Sequence, residues 1–222
     1  MNVVLIPIKE LGAAKSRLRP VLGDAERERL VLGLAEKAIR AALEADGVDR
    51  VLVVSRDPRV LARAAECRAQ VVAESSPTHD ERALNRALDQ GRARALELGA
   101  TALAVLVADL PTIEPADVSA LFEAARGDAA VVLARSHDGA GLGALVESPI
   151  AGLPFHFGDG RAFEHHLHEA RTRGLGTRTL DRPGLALDLD TTDDWARHRD
   201  VLGRAWPVGA VHDRPARVVH TR

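Results

Sequence analysis

Cysteine occurs once in the 222 residues, at Cys67, so neither an intrachain disulfide nor a thiolate zinc centre can be built. Tyrosine is absent, and four Phe with two Trp leave no stacking platform for single-stranded nucleic acid. Neither charge dominates. The 30 Lys and Arg against 32 Asp and Glu give a net charge of −2, without the positive field that nucleic acid or an anionic membrane attracts. No apolar run approaches the roughly 20 residues of a membrane span. The opening Asn2-Val3-Val4-Leu5-Ile6 reads as a strand and not as a secretion signal. These absences point to a cytoplasmic protein whose partners are small molecules, not nucleic acid or membrane, with a homodimer allowed.

Apolar residues make up 46% of the chain, enough for a globular domain with a substantial core. Strand and helix patterns alternate, which predicts one α/β domain over 1–205 whose mostly parallel sheet is flanked by helices on both faces. Strands are expected over 2–8, 50–55, 70–73, 102–107 and 129–134. Helices are expected over 24–45 with Asp24 as N-cap, from Pro58 through Cys67, and over 80–98, 115–126 and 162–173. Residues 138–144 read as a Gly-rich passage. A closing strand then runs to Asp190, followed by a helix to about residue 202, and residues 206–222 read as a frayed tail.

Ligands of open parallel sheets bind beyond the carboxyl ends of the strands, and three polar sets fall there. After the first strand, a loop with Lys9, Lys15 and Arg17 suits a polyphosphate, although the spaced glycines and Gly-Lys-Ser/Thr ending of a Walker loop are missing. Asp109, between the most apolar strand and Pro111, suits a metal ligand. The run Leu187-Asp188-Leu189-Asp190-Thr191-Thr192-Asp193-Asp194 puts Asp188 and Asp190 on one face of an extended segment. Two such carboxylates repel unless a proton or a hard cation such as Mg²⁺ lies between them. Read alone, the run is equally a metal site or a solvated strand end, with Asp193 and Asp194 opening the last helix. Asp109 and the basic loop favour the metal. Asn85, on a helix, has the donor and acceptor groups to read a nucleobase edge. His165, His166 and His168 lack the i, i+4 spacing of helical zinc motifs and read as a solvated or substrate-edge face. Cys67 reads as a small packing residue.

In order, Ile6-Pro7-Ile8-Lys9, Ala14-Lys15-Ser16-Arg17-Leu18, Leu84-Asn85-Arg86-Ala87-Leu88, Ala108-Asp109-Leu110-Pro111, Phe155-His156-Phe157-Gly158 and Gly184-Leu185-Ala186-Leu187-Asp188-Leu189-Asp190-Thr191 resemble the CofC/FbiD family. These are the 2-phospho-L-lactate or phosphoenolpyruvate guanylyltransferases of coenzyme F420 biosynthesis, and the resemblance covers about residues 3–202. It implies a GT-A-like nucleotidyltransferase fold and transfer of GMP from GTP to the phosphate of a small phosphorylated acid, with pyrophosphate released. It further implies Mg²⁺ on Asp109, Asp188 and Asp190. Lys15 and Arg17 would grip the triphosphate and serve catalysis with Asp109, and Lys9 and Asn85 would lie on the nucleotide side.

The chain departs from the family where the acceptor is expected, around Gly141, Leu142, Gly158, Gly160 and Arg161. Members usually carry a Gly-Thr segment, often Gly-Thr-Asn-Ala-Leu, where this chain has Gly141-Leu142-Gly143-Ala144-Leu145, and a serine normally follows Phe-Gly, where this chain reads Phe157-Gly158-Asp159-Gly160-Arg161-Ala162-Phe163. Arg161 has the geometry to bind a carboxylate or phosphate bidentately, and equally to face solvent. Phospholactate, phosphoenolpyruvate and 3-phosphoglycerate all stay open as acceptors. Two other readings stay open as well: a GT-A enzyme acting on a sugar phosphate or a molybdopterin-type acceptor, and a non-catalytic nucleotide-binding paralogue.

Overall fold

Hydrophobic strands separated by amphipathic helices give a seven-stranded sheet in a computed structural model that describes residues 1–75, 82–128 and 130–197. The elements are β1 (Asn2–Pro7), α1 (Asp24–Glu44), β2 (Arg50–Ser55), α2 (Pro58–Glu66), β3 (Gln70–Ala73), α3 (Ala83–Glu97), β4 (Ala102–Leu106) and α4 (Pro115–Ala124). Then come β5 (Val131–Arg135), β6 (Leu142–Glu147), α5 (Ala162–Thr172), β7 (Thr177–Leu180) and α6 (Pro183–Ala186). The strand order is β3-β2-β1-β4-β6-β5-β7, parallel throughout except for β6, which runs antiparallel to both β4 and β5.

Successive side chains of β1 feed opposite layers, as the two-residue repeat of a strand requires. Val4 and Ile6 join Ala38, Val118, Leu121 and Leu185 beneath α1, α4 and α6, whereas Val3 and Leu5 join Leu88, Phe155 and Phe163 beneath α3 and α5. A third cluster matters most for function. Leu18, Leu22, Leu30, Leu34 and Leu189 pack together with Trp195 against them. It fastens the loop after β1 to the acidic segment near the end of the described chain. Leu18 and Leu189 are fully buried, each contributing about 1.5–3 kcal/mol.

Four sequence expectations change. The Gly-rich passage contains strand β6. Its pattern is hidden by Gly143, which has no partner on β5, because Ala134 pairs with Ala144 and Arg135 with Leu142. The closing strand ends at Leu180; Pro183, at the first turn, starts α6, and residues 187–190 are extended but outside the sheet. The N-cap of α1 is Gly23, whose N–H is taken by the Glu26 carboxylate (2.7 Å), so Asp24 is the first helical residue. Cys67 is the C-cap just past α2. Residues 192–197 are helical, while the expected start of α3 at 80, the first residue of the 129–134 strand, the last helix beyond 197 and the 206–222 tail lie outside the described residues. Among the described residues no helix is long and apolar enough to cross a membrane.

Candidate active site

Because β5 is parallel to β4 and β6 is antiparallel to both, the carboxyl ends of β1, β4 and β5 share one edge of the sheet with the start of β6. The loop leaving β1 is pinned there from two sides. Asp57 caps α2 by accepting the Arg59 N–H (2.9 Å), and its other oxygen accepts the Leu11 N–H (3.1 Å). The buried guanidinium of Arg27 donates to the Ala14 carbonyl (2.7 Å). Burial raises the Asp57 pKa, but the Leu11 and Arg59 amides, together with the Arg59 guanidinium, outweigh it and hold the carboxyl below its usual range.

Lys15 follows in a left-handed backbone conformation (φ 53°) that aims its side chain inward. Its Nζ donates to Asp109 Oδ2 (2.6 Å) and lies 3.5 Å from Asp190 Oδ1. Burial weakens the ammonium; Asp109, Asp190 and Asp188 together outweigh that effect and raise its pKa. Arg17, largely exposed, donates to Asp190 Oδ2 (2.8 Å). Lys9 is exposed in the same loop.

The acidic segment is clasped to β4 by the Leu189 N–H, which donates to the Asp109 carbonyl (3.1 Å). With Leu189 buried, Asp188 and Asp190 are left on the opposite side, toward Lys15. Asp194 is structural. Its Oδ2 accepts the N–H groups of Asp190 (3.1 Å) and Thr191 (2.7 Å), while Thr191 Oγ1 accepts the Asp194 N–H (3.2 Å), a capping box for the last described helix. Asp188 lies 3.1 Å from His137 Nδ1. Burial first, and the Asp109 charge second, raise its carboxyl above the usual range. The sequence reading missed His137; its place just beyond β5, at the ligand edge, was the available signal.

α6 carries the chain into this segment, and two glycines seat it. A Cβ on Gly184 would lie 1.9 Å from Asp117 Oδ2, and one on Gly143 would lie 1.8 Å from the Leu185 carbonyl oxygen. Asp117 also accepts from Arg182 Nε (2.9 Å), and the Gly143 carbonyl accepts the Val107 N–H (3.0 Å). The Asn that the family resemblance leads one to expect at 143 has no room under this α6.

The residues expected around the acceptor form two linked loops. Asp138 Oδ1 gathers Ser136 Oγ (2.5 Å) with the N–H groups of Ala140 (2.9 Å) and Gly141 (3.1 Å). The Phe163 N–H donates to the Ala140 carbonyl (3.0 Å), tying this loop to α5. Leu142 points into the core beside Phe157 and Phe163, so what it offers at the edge is backbone. Gly158 and Gly160 both have positive φ (86° and 75°), and Arg161 is exposed and paired with Glu164 (2.6 Å). Asn85 sits on α3 with its carboxamide clamped to Phe157. Its Oδ1 accepts the Phe157 N–H (2.9 Å) and its Nδ2 donates to the Phe157 carbonyl (3.2 Å). His166, expected on a solvated or substrate-edge face, is instead fully buried. Its Nδ1 donates to the Ala162 carbonyl (2.7 Å), its Nε2 accepts the His156 N–H (3.2 Å), and burial pushes its pKa down to about 4.

The family described as "Guanylyl transferase CofC like" matches residues 2–197. A phosphoenolpyruvate guanylyltransferase of Rubrobacter xylanophilus is 44% identical, covering 96% of this chain and 97% of that protein. A 2-phospho-L-lactate guanylyltransferase of Methanothermobacter thermautotrophicus is 38% identical, covering 86% and 80%. In fold, the chain is similar to a solved nucleotidyl transferase of the same Methanothermobacter species, with a TM-score of 0.65 at 19% identity over 93% of this chain and 99% of that one.

Proposed function

The chain belongs to the CofC-like guanylyl transferases, and on that premise we propose that it transfers GMP from GTP to the phosphate of a small phosphorylated acid. The observation that carries this reading is the convergence of Lys15, Arg17, Asp109, Asp188 and Asp190 at one sheet edge. The donor set fits a hard cation. Three carboxylates face two side-chain cations, all three offer oxygen, and Asp188 is disfavoured as an anion by burial and by Asp109. Mg²⁺ held by Asp109, Asp188 and Asp190 would supply charge neutralisation for the triphosphate and the departing pyrophosphate.

A phosphate oxygen of the acceptor attacks the α-phosphorus of GTP. The new P–O bond forms as the α–β bond breaks and pyrophosphate leaves. The acceptor's second pKa is about 6, so its oxygen is largely ionised at neutral pH and needs no general base. The protein's task is placement of two anions and compensation of their charge. Lys15 is fixed by burial and by Asp109, so it meets the triphosphate without having to be ordered first. Arg17, exposed and paired with Asp190, reaches the β- and γ-phosphates, with Lys9 beyond it. Asn85, whose carboxamide is spent on the Phe157 backbone and not free for a nucleobase edge, positions the loop that follows Phe157. The Asp138 turn with Gly141 and Leu142, and the loop of Gly158, Gly160 and Arg161, receive the acceptor, Arg161 exchanging Glu164 for the acceptor's carboxylate. Such a product is the nucleotide-activated acid that coenzyme F420 biosynthesis uses in the cytoplasm.

The test is pyrophosphate release from GTP with phosphoenolpyruvate, 2-phospho-L-lactate, 3-phosphoglycerate or glucose 1-phosphate. Turnover with one of the three acids is expected. Turnover with the sugar phosphate alone would make the chain a sugar nucleotidyltransferase. GTP binding without turnover on any of them would make it a nucleotide-binding protein and overturn the proposal.

A further inference from the structure

Two segments bring three metal-ligating side chains together away from the Asp109 carboxylates. His156 and Asp159 come from the loop before α5, and His165 from the helix itself. One donor atom of each lies within 4.8 Å of the other two. His165 Nδ1 is 2.5 Å from Asp159 Oδ2, and the His156 and His165 rings stand edge to face with centroids 5.4 Å apart. An ion pair between His165 and Asp159 accounts for only two of the three. His156 Nε2 is buried without a hydrogen-bond partner, a state that buried polar atoms rarely keep. Neighbouring His166 does not compete for a ligand, since both its ring nitrogens are engaged, one of them fixing the His156 backbone. Asp159 is oriented in turn by the Arg161 N–H on its Oδ1 (2.8 Å), an anchor outside the ligand shell.

We propose that His156, Asp159 and His165 hold one transition-metal ion, with zinc(II) the best chemical match, and that it fastens the turn over residues 157–160 to α5. Two imidazole nitrogens and one carboxylate oxygen suit zinc, nickel or copper and disfavour magnesium. Zinc–nitrogen bonds of about 2.0–2.1 Å place tetrahedral donors about 3.3 Å apart. The three donor atoms, all within 4.8 Å of one another, would adjust to that spacing around the ion. A fourth position stays open to water or a ligand. The inference rests on this cluster alone and holds whatever the chain's substrate.

The full chain is stripped with EDTA, and zinc binding is measured by equilibrium dialysis with Mg²⁺ in large excess to occupy all-oxygen sites. The expected result is one zinc per chain. H165A and, separately, D159N weaken it by at least the roughly 10- to 100-fold that loss of even an outer-shell partner causes. H168A, at an exposed histidine of α5 outside the cluster, leaves it unchanged. Cobalt(II) gives the intense visible bands of a tetrahedral site in the wild type and H168A but not in H165A. Circular dichroism establishes that each variant is folded, and D159N, at an exposed position, decides the matter if H165A is not. No zinc bound in the presence of Mg²⁺, or H165A and D159N binding as H168A does, overturns the proposal.

Discussion

Gly143→Ala tests whether α6 is what aims Asp188 and Asp190. The added Cβ would lie 1.8 Å from the Leu185 carbonyl oxygen, where real contacts essentially never fall below 3.0 Å. The obstacle is backbone, so no side-chain rotation relieves it, and α6 must retreat by at least about 1.2 Å. Overpacking of this kind costs about 1–3 kcal/mol, or a drop in Tm of roughly 2–12 °C at about 2–4 °C per kcal/mol for a domain of this size. The shift passes directly along the chain from Leu185 to Asp188. Misplacement of a catalytic group by about 1 Å can cost roughly 100-fold in rate. Pyrophosphate release should therefore fall about 100-fold while circular dichroism stays native. Retained wild-type activity and Tm would show that α6 does not set the position of the acidic segment.

Lys15→Met leaves the part-exposed Asp109 without its ammonium and should cost about 1–3 kcal/mol in EDTA, the range for a hydrogen-bonding group left unsatisfied. Mg²⁺ should restore more stability to this variant than to the wild type in paired thermal melts; equal Mg²⁺ responses would contradict the carboxylate cluster. Asp57→Ala removes the α2 cap, at about 1 kcal/mol, and frees the Leu11 amide. Because the folded-state pKa of Asp57 is depressed, its ionic contribution is complete above the unfolded value of about 3.9 and is lost as pH falls through the folded one. Urea midpoints of wild type and Asp57→Ala should therefore converge in acid, and a gap that widens there would refute the assignment. Arg161→Ala should raise KM for the acceptor and not for GTP in steady-state kinetics, whereas an unchanged acceptor KM would return Arg161 to solvent.

Much of this architecture is legible in the chain because the signals are local. Runs such as Val3-Val4-Leu5-Ile6 and Leu103-Ala104-Val105-Leu106 can only be buried strands, and Pro58 and Pro115 mark helix starts. What escaped depends on contacts remote in sequence. β6 was hidden because Gly143 answers to Leu185, 42 positions away, and not to its own strand. The closing strand was misread because Leu187 and Leu189 alternate with the acids as a strand would, although the partner of Leu189 is the Leu18 cluster and not a ladder. His137 and Asp57 carry no motif; their meaning comes from Asp188 and Leu11, which the fold brings to them. The histidines of α5 could not be sorted by spacing along the helix, because the partners of His165 come from the preceding loop.

The most direct measurement is Mg²⁺-dependent pyrophosphate release from GTP and the best acceptor acid by wild type and Asp188→Asn. The substitution keeps the shape of a side chain that contacts His137 and removes one of three carboxylate charges. Wild type should turn over only with Mg²⁺ and acceptor both present, while Asp188→Asn, native in fold, should be inactive at every Mg²⁺ concentration. Activity in Asp188→Asn close to that of the wild type would contradict the account.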